Sequence, residues 1–493
     1  MKNKMFLLIL LTALIGCSSN YPGAMDDPEP EAELITVSDL SNELRVSNGV
    51  YDLEFYVRGT EGATLVVSVT GGELPVTGLQ SAVVLAENVW KRGYVRGIKA
   101  NGKRLEVSAR LLEAGAKYEL QTAYLRKVAK ARTFVKGGDL SMLTQVERNG
   151  GVYKDKDGKA GDCFEICARN GMNVARLRLY NDPGNAANYP SNQMFNGVQN
   201  EADILALAKR AKEAGMEIEL TFHYSDYWTN GGEQYKPAAW KGLSKAELHE
   251  MMYTYTKGFL TKMLVQGTPP RYVSLGNEIQ SGILFDRIEE GEYAPRDSVN
   301  GYCNDMRNLA ALLQQGSKAV REVCPDAKII IHLTTSTSIT VETYKWFFSA
   351  MKDNNLDYDV IGASYYPYYN NKTIEEMVAG ATTLTEIYDK DFIFMEIGFG
   401  WWPTLADGSI GQIADNKPYE DMTPEAQRAF MLQLAECIKA GSERILGYIY
   451  WDPIYIAAPN CGWKVGEKNV TGNSTLFDFD GKALPAWEAI VNN

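Results

Sequence analysis

The chain has 493 residues, 45% of them hydrophobic and 11% aromatic, and a formal net charge of −12. That is long enough for two domains with sizeable cores, and the composition excludes disordered and fibrous chains. The acidic balance argues against nucleic acid or an anionic membrane surface as an electrostatic partner, and three histidines argue against a multi-histidine metal centre.

The chain opens with Lys2 and Lys4, an apolar run from Met5 to Ile15, and then Gly16-Cys17. Positive charge ahead of so short an apolar stretch has the form of a signal peptide, too short for a stable membrane span. Its ending, Leu14-Ile15-Gly16-Cys17, resembles a bacterial lipobox. That likeness implies export, lipidation at Cys17 and attachment to a membrane through the lipid. Residues 18–33, rich in Ser, Asn, Pro, Gly, Asp and Glu, then read as a flexible tether with nothing to pack. The other six cysteines are expected as buried free thiols. Cys163 and Cys167 share a predicted helix face but lack the partners of a zinc site.

Residues 34–131 are short alternating runs broken by turn signals such as Gly71-Gly72 and Asn101-Gly102. Tyr51–Val57, Thr64–Val69 and Leu105–Leu111 are three of the runs. The pattern predicts a small, immunoglobulin-like β-sandwich, read first as a spacer. Trp90, Tyr94 and Tyr124 offer an alternative as a sugar platform, with core packing the favoured reading.

From 132 to 493 the period changes to strand–helix alternation. Eight strands are predicted: 134–140, 173–180, 217–222, 272–275, 328–332, 360–364, 392–396 and 446–451. Helices are predicted over 201–213, 245–264, 304–323 and 424–440. Eight such units in about 360 residues predict a (β/α)8 barrel. No phosphate-binding glycine motif stands at a strand–helix junction.

Glu278 closes the fourth predicted strand, after Asn277, and Glu396 closes the seventh. A carboxylate at a buried strand end is costly unless paired, yet that end of a barrel strand is where catalytic groups sit. Two glutamates facing one another there predict carboxylate-pair chemistry on a sugar. Arg176 and Arg178 lie two apart and so share a face of the second strand. Fixed positive charge keeps a nucleophilic carboxylate ionised, and Arg178, nearer the strand end, is expected to do this for Glu396. His223, Asp226 and Trp228 follow the third strand, where substrate hydroxyls are expected to bind. His332 ends the fifth strand, and Tyr365 after the sixth is expected to hold Glu396. Trp401 and Trp402 flank the seventh strand's loop, and Trp451 at the eighth strand's end is expected to form the floor under the reacting sugar.

At these positions the chain resembles glycoside hydrolase family 53, the endo-β-1,4-galactanases, over roughly 134–493. The likeness rests on 137–141 (GGDLS), 176–183 (RLRLYNDP), 222–228 (FHYSDYW), 237–240 (PAAW) and 276–279 (GNEI), and extends to 364–367 (SYYP) and 476–478 (LFD). It implies retaining endo-hydrolysis of the β-1,4-galactan side chains of pectin, with Glu278 as acid/base and Glu396 as nucleophile. No cofactor is implied for the chemistry. Some bacterial members hold calcium between the loop after strand seven and the C-terminal segment; here Asp407 and Asp478 are the candidate ligands, and a plain turn reads them equally well. A monomer on the outer membrane, facing outward, is expected. A mannanase or glucanase on the same barrel, or a non-catalytic glycan-binding lipoprotein, remain the alternatives.

Overall fold

The computed structural model describes residues 34–71, 79–102, 104–128, 134–185, 195–286 and 301–492. The signal segment, Cys17 and the tether, residues 1–33, lie outside them. Among the described residues no helix is long and apolar enough to cross a membrane.

Eight antiparallel strands come first: β1 (Leu34–Thr36), β2 (Asn42–Arg45), β3 (Asn48–Gly59), β4 (Thr64–Gly71), β5 (Leu79–Val84), β6 (Lys91–Asn101), β7 (Arg104–Leu111) and β8 (Tyr118–Val128). They form two four-stranded sheets, ordered β1-β8-β3-β6 and β2-β7-β4-β5. Period two does the sorting. In β3, Tyr51, Leu53, Phe55 and Val57 turn inward and meet Leu65, Val67 and Val69 of β4 in one core. Each such buried side chain contributes roughly 1.5–3 kcal/mol. Of the aromatics proposed as a sugar platform, Trp90 has the Arg58 guanidinium 4.6 Å above its ring, and Tyr94 has Arg92 and Arg96 at 4.8 and 4.7 Å.

Eight parallel strands then close into a barrel: β9 (Val135–Asp139), β10 (Val174–Leu179), β11 (Glu217–Phe222), β12 (Tyr272–Leu275), β13 (Lys328–Leu333), β14 (Val360–Tyr365), β15 (Asp391–Ile397) and β16 (Ile445–Tyr450). Each pairs with its sequence neighbours, and β16 returns to β9. A helix follows each strand: α1 (Cys163–Arg169), α2 (Glu201–Glu213), α3 (Lys245–Gln266), α4 (Met306–Val323), α5 (Val341–Asp353), α6 (Ile374–Tyr388), α7 (Pro424–Ala440) and α8 (Ala486–Val491). Their starts are written locally: Asn200, Ser244, Asp305 and Thr373 each accept a backbone N–H from the first turn of α2, α3, α4 and α6. All six described cysteines are free.

The barrel interior is layered. Val135, Val174, Tyr272, Ile330, Val360, Ile393, Met395 and Ile449 pack as an apolar plug in its lower part. Residues of the same parity further along β10, β12, β13 and β14, namely Arg176, Arg178, Ser274, His332 and Ser364, are buried and polar, as is Glu219 of β11. The interior therefore passes from oil to charge toward the C-terminal strand ends, where a barrel carries its site.

Candidate active site

The turn after β12 presents the first glutamate. Gly276 takes a φ of +95°, and a Cβ there would lie 2.5 Å from Ile279 Cγ2. Glu278 itself has a φ of +53°, in the left-handed region. Such a conformation in a non-glycine residue costs on the order of 1–3 kcal/mol and persists only where neighbours enforce it. Gln234 helps enforce it, donating through Nε2 to the carbonyls of Asn277 and Glu278 at 2.7 and 3.3 Å.

Glu396 extends from β15 toward Glu278. One oxygen of each carboxylate and a ring nitrogen of His332 all lie within 4.8 Å of one another. Both glutamates are buried. Ser364 Oγ sits between them, 2.6 Å from Glu278 Oε1, which accepts its proton, and 3.5 Å from Glu396 Oε2. With that proton committed, Ser364 accepts from His332 Nε2 at 2.9 Å. Burial, then the Glu396 charge, raise Glu278 to about 7.

Arg176, not Arg178, meets Glu396. Its Nη1 donates to Glu396 Oε1 at 2.8 Å, and its Nη2 donates to Asn277 Oδ1 at 2.7 Å. Arg178 is intercepted on its own side of the barrel: Nη2 donates to Asp452 Oδ1 at 2.8 Å, and Nε lies 3.0 Å from Asp139 Oδ2. The expectation for Arg178 is thus corrected, because proximity to the strand end places it beside Asp139 at the end of the adjacent β9 and Asp452 just past β16, one strand further on. Both guanidiniums face the Trp451 ring, Arg178 at 4.4 Å and Arg176 at 5.5 Å. Burial opposes the charge of Arg176, but Glu396, Asp139 and Glu219 overcome it and hold the guanidinium firmly protonated.

Tyr365 is likewise corrected. Its hydroxyl donates outward to the Lys372 carbonyl at 2.9 Å, while Tyr366 donates to Glu396 Oε2 at 2.8 Å. Val360, Gly362, Ser364 and Tyr366 share inward parity along β14 and its continuation, so the second tyrosine of the pair is the one that enters the site.

The loop after β11 divides its residues. The Nδ1 of His223 pairs with Thr229, and its Nε2 is buried without a protein partner among the described residues. The Tyr180 hydroxyl is equally buried and unpartnered among them, and its ring lies 4.6 Å from that of His223. Burial, then Arg178 and Arg176, keep His223 neutral; burial and Arg176 do the same for His332. Asp226 is spent on structure, accepting from the Ala238 and Asp182 amides and from Asn181 Nδ2. That corrects its expected place on substrate: its oxygens tie together the loops after β10 and β11. Trp228 packs against Trp463 with centroids 4.9 Å apart and ring planes tilted by 38°, and the two wall a hollow of about 490 Å³ with Tyr227, Glu233 and Lys464. Trp401 is buried against Phe479 at 4.6 Å, whereas Trp402 remains 47% exposed.

The two aspartates considered for calcium do not fit it. Asp407 accepts from Ser409 and faces the Lys468 ammonium at 3.1 Å. Asp478 accepts from the amides of Asp480 and Lys482 within its own turn. A cation already occupies one carboxylate and a turn the other.

Sequence reasoning missed Tyr366, Ser364, Tyr180, Asp139, Glu219, Asp452 and Trp463. Strand parity would have found Ser364, Tyr366 and Glu219. No local signal marks Trp463, which lies in a long loop and earns its place through a contact 235 positions away in sequence.

A closed eight-stranded barrel with two buried glutamates at strand ends four and seven, an arginine and a tyrosine on one of them, defines a glycoside hydrolase. The chain belongs to glycosyl hydrolase family 53, whose family model matches residues 135–490. It is 30% identical to an arabinogalactan endo-β-1,4-galactanase of Cellvibrio japonicus over 371 residues, covering 73% of this chain and 91% of the relative. It is 26% identical to an endo-β-1,4-galactanase of Bacillus subtilis over 389 residues, covering 72% and 85%. Among solved structures, the family 53 catalytic domain of Ignisphaera aggregans aligns with a TM-score of 0.64 at 30% identity, covering 73% of this chain and 96% of that domain.

Proposed function

We propose that the protein cleaves β-1,4-galactan internally, as in the type I arabinogalactan side chains of pectin, with retention at the anomeric carbon. The carrying observation is the Glu278–Glu396 pair, supported by family membership and by relatives named as galactanases. A separation within 4.8 Å suits double displacement, which needs carboxyls about 5 Å apart; inversion needs about 6.5–9.5 Å to admit a water.

Glu396 attacks the anomeric carbon, its carboxylate held by Arg176 and Tyr366. Glu278, protonated near neutrality, gives its proton to the leaving oxygen and then takes one from the water that releases the glycosyl-enzyme. Neither step calls for a cofactor. His223 Nε2 and the Tyr180 hydroxyl, buried and unpartnered among the described residues, supply partners for sugar hydroxyls. Trp451 lines the floor, and the Trp228–Trp463 pair offers aromatic faces further along an open cleft, as an internal cut requires. The enzyme acts as a monomer, exported and anchored by lipid on Cys17 to the outer face of the outer membrane, where a polymer too large to enter can be reached.

Product analysis on linear β-1,4-galactan, with β-1,3-galactan, mannan and cellulose derivatives in parallel, tests the reading. Oligosaccharides from β-1,4-galactan alone support it, and cleavage of another polymer instead overturns the substrate. Replacing Glu396 with Gln is expected to lower turnover by about 10⁴-fold or more with the fold intact; substantial residual activity would discard the assignment of the nucleophile.

A further inference from the structure

The family match covers residues 135–490, so the N-terminal sandwich needs its own account. Its second sheet is unusual along two strands. In β4, Thr64, Leu65, Val66 and Val67 are all buried, and in β5 so are Ser81, Ala82 and Val83. A sheet with one face in water alternates, as β3 does; consecutive burial means cover on both faces. The inward set, Leu65, Val67 and Val83, belongs to the sandwich core. Val66 and Ala82 belong instead to the main hydrophobic cluster of the barrel, with Val84, Leu112 and Phe134 packed against it.

Polar contacts surround this patch. β5 and β6 are the edge strands of their sheets, and exposed edges need covering. The end of α7 does so. Glu436 accepts the Val84 amide at 3.1 Å and stands 3.8 Å from Lys91 Nζ. Lys439, 4% exposed, donates to Ser81 Oγ at 2.9 Å, and Arg96 donates to the Lys439 carbonyl at 2.8 Å. Arg110 of β7 donates to Asn492 Oδ1, just past α8, at 2.9 Å. A helix end carrying a buried lysine and a nearly buried glutamate suits a barrel that always wears this cover, since either charge left in an apolar crevice without partners is costly.

We infer that the sandwich is a fixed base of the barrel and not a jointed spacer, so that the two melt as one body and the cleft is held facing away from the chain's entry. The second half follows from direction. α7 begins near the mouth and ends at the N-terminal side of the strands, so Glu436 and Lys439 sit at the end opposite Glu278 and Glu396. β1, where the described chain begins, is the far edge of its sheet, three strands from β6 and roughly 14 Å from it at the usual strand spacing.

Calorimetry on the full chain tests this with two variants. Ala82→Arg places a charge in the seam from the sandwich side. Glu436→Gln removes the Val84 partner's charge from the barrel side and touches no sandwich core residue. The unmodified chain is expected to give one heat-absorption peak. Each variant is expected to split off a lower peak, about 4–8 °C or more below the main one, with galactan hydrolysis within twofold of the unmodified chain. Two peaks in the unmodified chain would overturn the inference. So would a single unshifted peak in Glu436→Gln, even if Ala82→Arg leaves the sandwich unfolded.

Discussion

Tyr365 and Tyr366 are chain neighbours with opposite fates, and a pair of conservative changes separates them. Removing the Tyr366 hydroxyl deletes a hydrogen bond to a charged oxygen, a loss of about 1.5–3 kcal/mol. Tyr366→Phe should therefore lower kcat by about 10- to 150-fold, while Tyr365→Phe, whose hydroxyl faces Lys372, should stay within twofold; steady-state kinetics on galactan decides between them. At Glu278 the sign of the pH dependence is fixed by its role. A carboxyl raised to about 7 by burial and by Glu396 is protonated below that pH and ionised above it. The acid form gives the proton, so kcat should fall as pH rises through about 7, and a Glu278→Gln variant should lose that limb together with about 10²–10⁴-fold in rate on poor leaving groups. Both glutamates were legible because two acids at strand ends that face one another across a barrel mouth have few structural excuses. The Arg176–Arg178 choice was not, since it turns on Asp139 and Asp452, which other strands bring to the same level.

The barrel strands read well because their apolar runs are short, punctuated and separated by long helical periods. β11 and β12, and helices α2 and α7, match their expected bounds, and the other barrel strands and helices for which bounds were expected differ by one or two residues at their ends. What the sequence did not show is how tightly the ring is joined at its seam. β16 reaches β9 through Gly447, whose φ is +144° and whose added Cβ would lie 2.1 Å from the Val135 carbonyl oxygen. That oxygen is backbone and cannot swing aside. Gly447→Ala should destabilise the fold by about 1–3 kcal/mol or more, and a denaturant midpoint unchanged from the parent would contradict the closure described. The sandwich strands were legible as alternation, but the unbroken burial in β4 and β5, visible as Leu65-Val66-Val67, was read only as strand and not as a second covered face.

Across the whole molecule, three interior acids share one electrostatic condition. Burial lifts Glu219 and Glu278 from 4.5 to about 7, and Asp452 from 3.8 to about 7. Between those limits the folded protein keeps protons that the unfolded chain has released, so unfolding stability falls with rising pH and levels off above about 7. Thermal midpoints should accordingly decline from about pH 5 to about pH 8; a rise over that span would show the interior acids to be better stabilised as anions. The left-handed turn at Glu278 carries a consequence of its own for any lineage of this protein. Asparagine and glycine tolerate that backbone more readily than glutamate does, so the easiest mutational route to a hardier protein at this position runs through an inert one. Selection for heat resistance and selection for catalysis pull position 278 in opposite directions, and a screen for stability alone would be expected to discard the acid first.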